Sequence, residues 1–277
     1  MRIITVQFDY PGRDYYKRLL RAFRNSVQVH MPHADWVAIK TTPPVCKKAV
    51  KQSFASNSHK LQIWIDQLKK SDQPTLLADC DMLMTRPLDD VWEREFDIAY
   101  TEREEGLKAK CGPVYVIEGG RKVRKGPKPH PGLPDGWGLN RKGPDRKRLW
   151  PPYNGGVMFV RPNERSIKFM ETQLAVNNRM LHDEKFHMPW RAVYCGINQA
   201  AFGFMIEKHP DICKLLSLPC SEWNACDATW MHYDDKVRMV HIKSALRWQC
   251  VGKNKIDPNL KHVVGMWREY EKMGVGG

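Results

Sequence analysis

The chain alternates short apolar runs with longer segments of helical period. Arg2–Phe8 (RIITVQF) is an apolar run of strand length, followed by Pro11-Gly12. Tyr15, Leu19, Leu20 and Phe23 then recur at helical spacing, with basic residues between them. Trp36–Ile39 predicts a second short strand. Ser58 predicts the cap of a helix reaching Leu68, with Leu61, Ile63, Trp64, Ile65 and Leu68 as its apolar set. Thr75–Ala78 predicts a buried strand that runs into Asp79-Cys80-Asp81, and Asp97–Tyr100 another strand. After a gap in the pattern, Gly156–Val160 is strand-like and Asn163 caps a predicted helix to about Met180. Gly196–Ile206 reads as helix, Leu215–Leu218 as a short extended run and Val237–Ile242 as a buried strand. Pro258–Met273 reads as a C-terminal helix with Pro near its start. Strands alternating with helices predict an α/β fold: a mixed, mostly parallel sheet with helices on both faces. No repeat and no linker divides the pattern, so residues 1–277 are expected to form a single domain.

The gap is residues 119–150. Seven Gly and five Pro stand there among ten Lys/Arg and only two acidic residues, with no surviving period. A long loop inserted into the domain is the expectation, and loops of that length are functional or disordered. The chain as a whole carries 45 Lys+Arg against 31 Asp+Glu, a net charge of +14, and this stretch alone contributes +8. The preceding segment 52–118 is net acidic. A basic surplus so placed points to a polyanion, an anionic membrane surface or an anionic substrate.

A hydrophobic fraction of 42% excludes a disordered or fibrous chain. No apolar run is long enough for a membrane span, and the N-terminus lacks the pattern of a signal peptide. The eight Cys contain no C-x-x-C. Cys213, Cys220, Cys226 and His232 match no standard zinc spacing, so reduced thiols and a cytoplasmic location (the host cytoplasm for a phage protein) are expected.

Asp79 and Asp81 end an apolar strand, where α/β sheets bind their ligands. Residues i and i+2 of a strand share a side, so both carboxylates can face one ion. An oxygen-rich set suits Mg²⁺ or Mn²⁺. A D-x-D arises about once by chance in a chain of this composition, so the context must decide.

That context resembles the GT-A nucleotide-sugar glycosyltransferases, in particular the glycogenin-like family 8 enzymes. LLADCDMLMTRPLDDVW resembles the family's strand, its D-x-D and the region after it. YNGGVMFVRP resembles its F-N-x-G-V motif, Leu218-Pro219 with Trp223-Asn224 its L-P-x-x-x-N segment, and VRMVHIKSALRW its V-x-H-F-x-G-x-x-K-P-W motif. The resemblance implies a GT-A, Rossmann-like sheet and a nucleotide-sugar donor, UDP-linked in the family. It implies Asp79, Asp81 and His241 as ligands of a divalent metal, Mn²⁺ or Mg²⁺. Val6 and Phe8 on the first strand, with Lys60, Asp79, Lys243 and Arg247, would contact the nucleotide and its diphosphate. Asn154 with Gly155-Gly156, and Asn198 with Gln199, would lie at the donor sugar. This chain departs from the family at three places. Ser244 stands where the family has Gly, Arg247-Trp248 lacks the intervening Pro, and Asn198 replaces an acidic residue. Asn hydrogen-bonds hydroxyls but carries no charge and is no nucleophile, so retaining and inverting chemistry both stay open. An inverting path needs a carboxylate base, for which Asp183, Glu184 and Asp227 are candidates.

For the acceptor, Arg121, Lys122, Arg124, Lys125, Lys128, Arg141, Lys142, Arg146, Lys147 and Arg148 suit a phosphate backbone, with Trp137 and Trp150 available for stacking. Arg13, Lys17, Arg18, Arg21 and Arg24, with Lys47, Lys48 and Lys51, add basic charge in the N-terminal half. The leading expectation is a hydroxylated base in DNA, the kind of substrate some bacteriophage glycosyltransferases modify. Two alternatives remain. One is a lipid-linked or surface polysaccharide acceptor at an anionic membrane. The other is a non-catalytic nucleic-acid-binding protein on the same scaffold.

Overall fold

A computed structural model describes residues 1–45, 49–103, 114–118, 121–125, 153–194, 196–226, 233–252 and 256–274. In chain order the elements begin β1 (Arg2–Phe8), α1 (Tyr15–His30), β2 (Asp35–Thr41), α2 (Ala49–Leu68), β3 (Thr75–Asp79), β4 (Met82–Met84) and β5 (Ile98–Glu102). They continue with β6 (Val114–Glu118), β7 (Arg121–Lys125), β8 (Tyr153–Val160), α3 (Glu164–His182), α4 (Glu184–Tyr194) and α5 (Ile197–Lys208). Last come β9 (Leu215–Pro219), α6 (Cys220–Trp223), β10 (Met239–His241), α7 (Ser244–Val251) and α8 (Lys261–Lys272).

Six strands form a mixed, mostly parallel sheet in the order β2-β1-β3-β8-β5-β9. β1 runs parallel to β2 and β3, and β5 parallel to β9, while β8 is antiparallel to both neighbours. The strands are apolar on both sides because both faces are covered. Ile4, Val6 and Leu77 pack with Leu61, Trp64, Ile65 and Leu68 of α2 and with residues of α3 and α5. Ile3, Leu76 and Ala78, one residue out of phase, pack with Phe23 and Val27 of α1. A third cluster joins α1 to α7 and α8 around the fully buried Trp267. The α1–α8 seam is closed by Glu271, which accepts from Arg18 and Arg21, each at 3.0 Å.

Antiparallel β8 matters for the site. Ala78 of β3 pairs with Val157, so residues 154 and 155 extend past the carboxyl end of β3. On the other side the register jumps from Tyr100↔Met158 to Thr101↔Asn154, a bulge over residues 155–157.

Three expectations change, and one further helix is new. The second helix starts at Ala49, not at Ser58. Ser56 and Ser58 sit inside it because tertiary partners hold them: Tyr10 Oη donates to Ser56 Oγ at 2.8 Å, and Asn177 Nδ2 to Ser58 Oγ at 2.8 Å. The strand expected over Val237–Ile242 is confined to Met239–His241, because Asp234 to Val237 form a turn closed at 3.4 Å. Within the expected basic loop, Arg121–Lys125 is a strand paired antiparallel with Val114–Glu118. Alternating Arg and Lys around Val123 carry no apolar period to reveal it. Finally, α4 holds Pro189 inside a helix, which the sequence pattern does not predict. Lys128, Arg141, Lys142, Arg146, Lys147 and Arg148 lie outside the described residues, as do Asp227 and His232. Among the described residues, no helix is long and apolar enough to cross a membrane.

Candidate metal centre and its cleft

The two aspartates do not lie along one strand. Asp79 is the last residue of β3, and Asp81 occupies the turn into β4. What brings them together with His241 is the pairing of β4 with β10, in which Met82 faces His241. The Ile242 amide donates to the Asp81 carbonyl at 2.7 Å, and the His241 amide to the Ala225 carbonyl at 2.9 Å. The imidazole Nε2 then lies 3.2 Å from Asp81 Oδ1 and 3.7 Å from Asp79 Oδ2. One ligand atom from each of the three residues lies within 4.8 Å of the others. Two carboxylates and an imidazole at that spacing fit a divalent cation.

Each carboxylate is also matched by a cation of the chain. Lys60 of α2 is buried and donates to Asp79 Oδ1 at 2.5 Å, its ammonium 4.5 Å from the Trp64 ring centroid. Arg247 of α7 donates to Asp81 Oδ2, to the Ile242 carbonyl at 3.3 Å and to Tyr16 Oη at 3.4 Å. Burial pushes the Asp81 carboxyl up, but His241 and Arg247 outweigh it and hold Asp81 well below the usual carboxylate range. Burial likewise pushes the Tyr16 phenol up, so it stays neutral beside the guanidinium. The Cys80 thiol between the two aspartates is pushed up by burial and then by their charge, which leaves it protonated and inert.

These groups line a cleft of about 400 Å³. Val6, Phe8, Lys60, Asp79, Asp81, Asn154, Asn198, Gln199, His241, Lys243 and Arg247 all reach its wall. Residues drawn from six separate segments of sequence thus meet in one place. Tyr10, Arg13, Tyr16, Ser53 and Asn57 line it too, and the sequence pattern does not single them out for it.

Asn154 lines the cleft with its side chain already engaged within the protein. It is buried, its Oδ1 accepts from the Gly156 amide at 3.0 Å, and its Nδ2 donates to Cys226 Sγ at 3.1 Å. Its carbonyl accepts from Thr101 Oγ1 at 3.0 Å, and Thr101 in turn accepts from Asn224 Nδ2 at 2.8 Å. Asn154 therefore pins the bulge rather than offering a free amide to the cleft. Gln199 donates to the Tyr153 carbonyl at 2.9 Å and so ties α5 to the start of β8. Asn198 follows Gly196, whose φ of 70° is a left-handed conformation that suits glycine. Asp183 is used as a cap, accepting from the Phe186 amide at 3.0 Å. Arg18 and Arg21 are paired with Glu271 and Lys17 with Asp14, which makes them structural ion pairs. Cys80, Cys213, Cys220, Cys226 and Cys250 are free thiols. Among the described residues, Asp79, Asp81 and His241 are the group with metal-ligand geometry.

No family model matches the sequence, and no curated protein is significantly similar to it. Solved structures do match the fold. A glycosyltransferase involved in glycosylation of the major capsid of PBCV-1 aligns over 98% of both chains, with a TM-score of 0.50 and 12% identity. The glycosyltransferase GlyE of Streptococcus pneumoniae TIGR4 aligns over 99% of this chain and 62% of its own, with a TM-score of 0.50 and 15% identity. The bifunctional glycosyltransferase WbbM aligns over 98% of this chain and 49% of its own, with a TM-score of 0.50 and 13% identity. The chain therefore spans less than two thirds of GlyE and about half of WbbM. The fold is that of the GT-A glycosyltransferases.

Proposed function

We propose that the protein is a metal-dependent glycosyltransferase. It moves a hexose from a nucleoside-diphosphate sugar, UDP-linked by its resemblance to family 8, to a hydroxyl acceptor, with residues 1–277 acting as one catalytic domain. The observation that carries this reading is the Asp79/Asp81/His241 cluster at the carboxyl end of β3, inside the cleft of a GT-A sheet. Mn²⁺ or Mg²⁺ held there would neutralise the diphosphate and make it a better leaving group.

The chain's own residues supply the rest. Lys60 and Arg247 pair with the carboxylates and Lys243 lines the cleft, and the three add positive charge where the leaving diphosphate gains negative charge. Val6 and Phe8, where β1 meets the cleft, offer an apolar wall to the nucleoside. Asn198 and Gln199 at the start of α5 face the sugar. Asn154 acts one step back by holding the bulge on which Gly155 and Gly156 sit. Release of UDP from a UDP-sugar, measured with and without chelator, tests this. Turnover that needs Mn²⁺ or Mg²⁺ and disappears in Asp81→Ala is expected. No turnover of any nucleotide sugar would favour a binding protein on the same scaffold.

For the acceptor we propose a polyanion, a hydroxylated base in DNA first of all. The support is the +8 stretch 119–150, which leads in sequence directly into β8 and hence to Asn154 and Gly155 at the cleft. In the N-terminal half, Arg13 lies at the cleft itself. DNA binding that weakens steeply with salt supports a DNA acceptor, whereas salt-independent or absent binding with intact turnover favours a glycan.

A further inference from the structure

Against the cleft, toward α2, α3 and α5, lies a second and much smaller cavity. It shares Asn154, Gly155, Asn198 and Gln199 with the cleft, and Trp64 of α2 and Gln173 of α3 also line it, as do Tyr100, Thr101 and Tyr153. About 20 Å³ of it admits the centre of a water-sized sphere, room for a single water molecule. Three of its wall residues carry a side-chain polar atom that is sealed from solvent and has no hydrogen-bond partner in the protein. They are Trp64 Nε1, Gln173 Oε1 and Asn198 Oδ1. Trp64 and Gln173 are each 3% exposed. Orphaned polar atoms of this kind are costly, and three on residues that line one small cavity point to a shared partner.

We propose that this cavity binds one ordered water, which ties Trp64, Gln173 and Asn198 together and holds the Asn198 amide with its NH₂ toward the cleft. Counting hydrogens selects the ligand. An indole N–H only donates, and two amide oxygens only accept. The occupant must accept one hydrogen bond and donate two. Water does both. A sugar hydroxyl has one hydrogen and would leave an oxygen unpaired. A metal cation is repelled by the indole N–H, and an anion by the two carbonyl oxygens.

The site gives position 198 a defined chemistry. Asn198 is only partly buried, and its oxygen is the sealed end. With that oxygen committed to the water, the group left for the cleft is a neutral donor. Gln173 then acts as a positioning residue, through the water and Asn198. The kinetic consequence rests on the reading of the cleft as a donor-sugar site; the hydration site itself does not.

A crystal structure of the full chain tests the site, compared with Gln173→Leu. The expected result is a density peak within hydrogen-bond distance of all three atoms in the native protein, lost in the variant. Thermal melting gives a second readout. If the cavity is dry, leucine removes an orphaned acceptor and raises Tm. If the water is present, Gln173→Leu strands it and lowers Tm. Trp64→Phe, which keeps an aromatic face for Lys60, supplies a second variant should the first not fold. In turnover, Gln173→Leu is expected to raise KM for the nucleotide sugar severalfold at little changed kcat, with affinity for the nucleoside diphosphate alone unchanged. A dry cavity in the native protein, or a higher Tm in either variant, overturns the proposal. Density and melting need no substrate, so they report on it even if no nucleotide sugar is turned over.

Discussion

A Cβ at Gly156 would stand 2.6 Å from both Cε1 and Nδ1 of the His241 ring. No real side chain tolerates that approach, so the glycine is the seat on which the imidazole rests. Gly155, one residue earlier, has open space at the same point. The two glycines of the YNGG segment thus differ in role: the second gives the imidazole room to reach Asp79 and Asp81.

Gly156→Ala is therefore expected to push His241 away from the aspartates. Overpacking of this kind costs about 1–3 kcal/mol, and loss of ligand support weakens metal binding by about 10–100-fold. Gly155→Ala is the control and should do much less. Mn²⁺ titration and thermal melting of the two variants would check this. Equal effects at both positions would contradict the seat.

Ser244 carries a φ of 50°, the left-handed region that a side chain strains to occupy. It opens α7, the helix that presents Arg247 to Asp81. Glycine relieves about 1–2 kcal/mol of that strain and gives back about 0.5–1 kcal/mol in unfolded-chain entropy. Ser244→Gly is expected to raise the melting midpoint by about 1–3 °C. Ser244→Ala should not.

The architecture is largely readable in advance, and the exceptions share a cause. Arg2–Phe8 is matched residue for residue because a strand buried on both faces leaves a run rich in apolar residues, with Ile3, Ile4, Val6 and Phe8 among Thr5 and Gln7. Asn163 is a true cap, with Ser166 completing a reciprocal pair of hydrogen bonds. By contrast, Ser58 mimics a cap because its partner, Asn177, is far away in sequence. The inward turn of Asn154 depends on Cys226, 72 residues on, and no local pattern records it. The cleft residues were identifiable because several short motifs kept their order. Tyr16 and Arg13 were not: Tyr16 falls outside the apolar set of its helix, and Arg13 counts only toward the general basic charge.

Asp97 offers a test of the scaffold away from the cleft. It is buried at the edge of β5 and accepts from the Lys214 amide at 2.7 Å, Asn163 Nδ2 at 2.7 Å and Arg165 at 3.0 Å. Burial pushes its carboxyl up, but these donors outweigh burial and hold it below the usual range. The folded value lies under the unfolded one, so its contribution is full above the ordinary aspartate pKa and fades as pH falls through the lowered value. Asp97→Asn sets an amide N–H against one of the donors and is expected to cost about 2 kcal/mol near neutrality. The difference in stability from the native protein should close on acidification below about pH 4. A constant difference across that range would contradict the ionised pairing.

Replacing Arg121, Lys122, Arg124 and Lys125 with Gln tests the polyanion surface. If all four touch phosphates, the slope of log K against log salt for DNA binding should become shallower by up to about 3.6. Turnover of the nucleotide sugar without acceptor should be unaffected. An unchanged slope would move the DNA contact elsewhere or remove it.

The proposed holding of a metal by Asp79, Asp81 and His241 for the nucleotide diphosphate is open to direct titration. Mn²⁺ titration in the presence of UDP, comparing the native protein with Asp81→Asn, tests it most directly. One Mn²⁺ per chain in the native protein, with binding lost or weakened at least about 10-fold in the variant, is the expected result. Equal Mn²⁺ binding by both proteins, or none by the native protein, would contradict it.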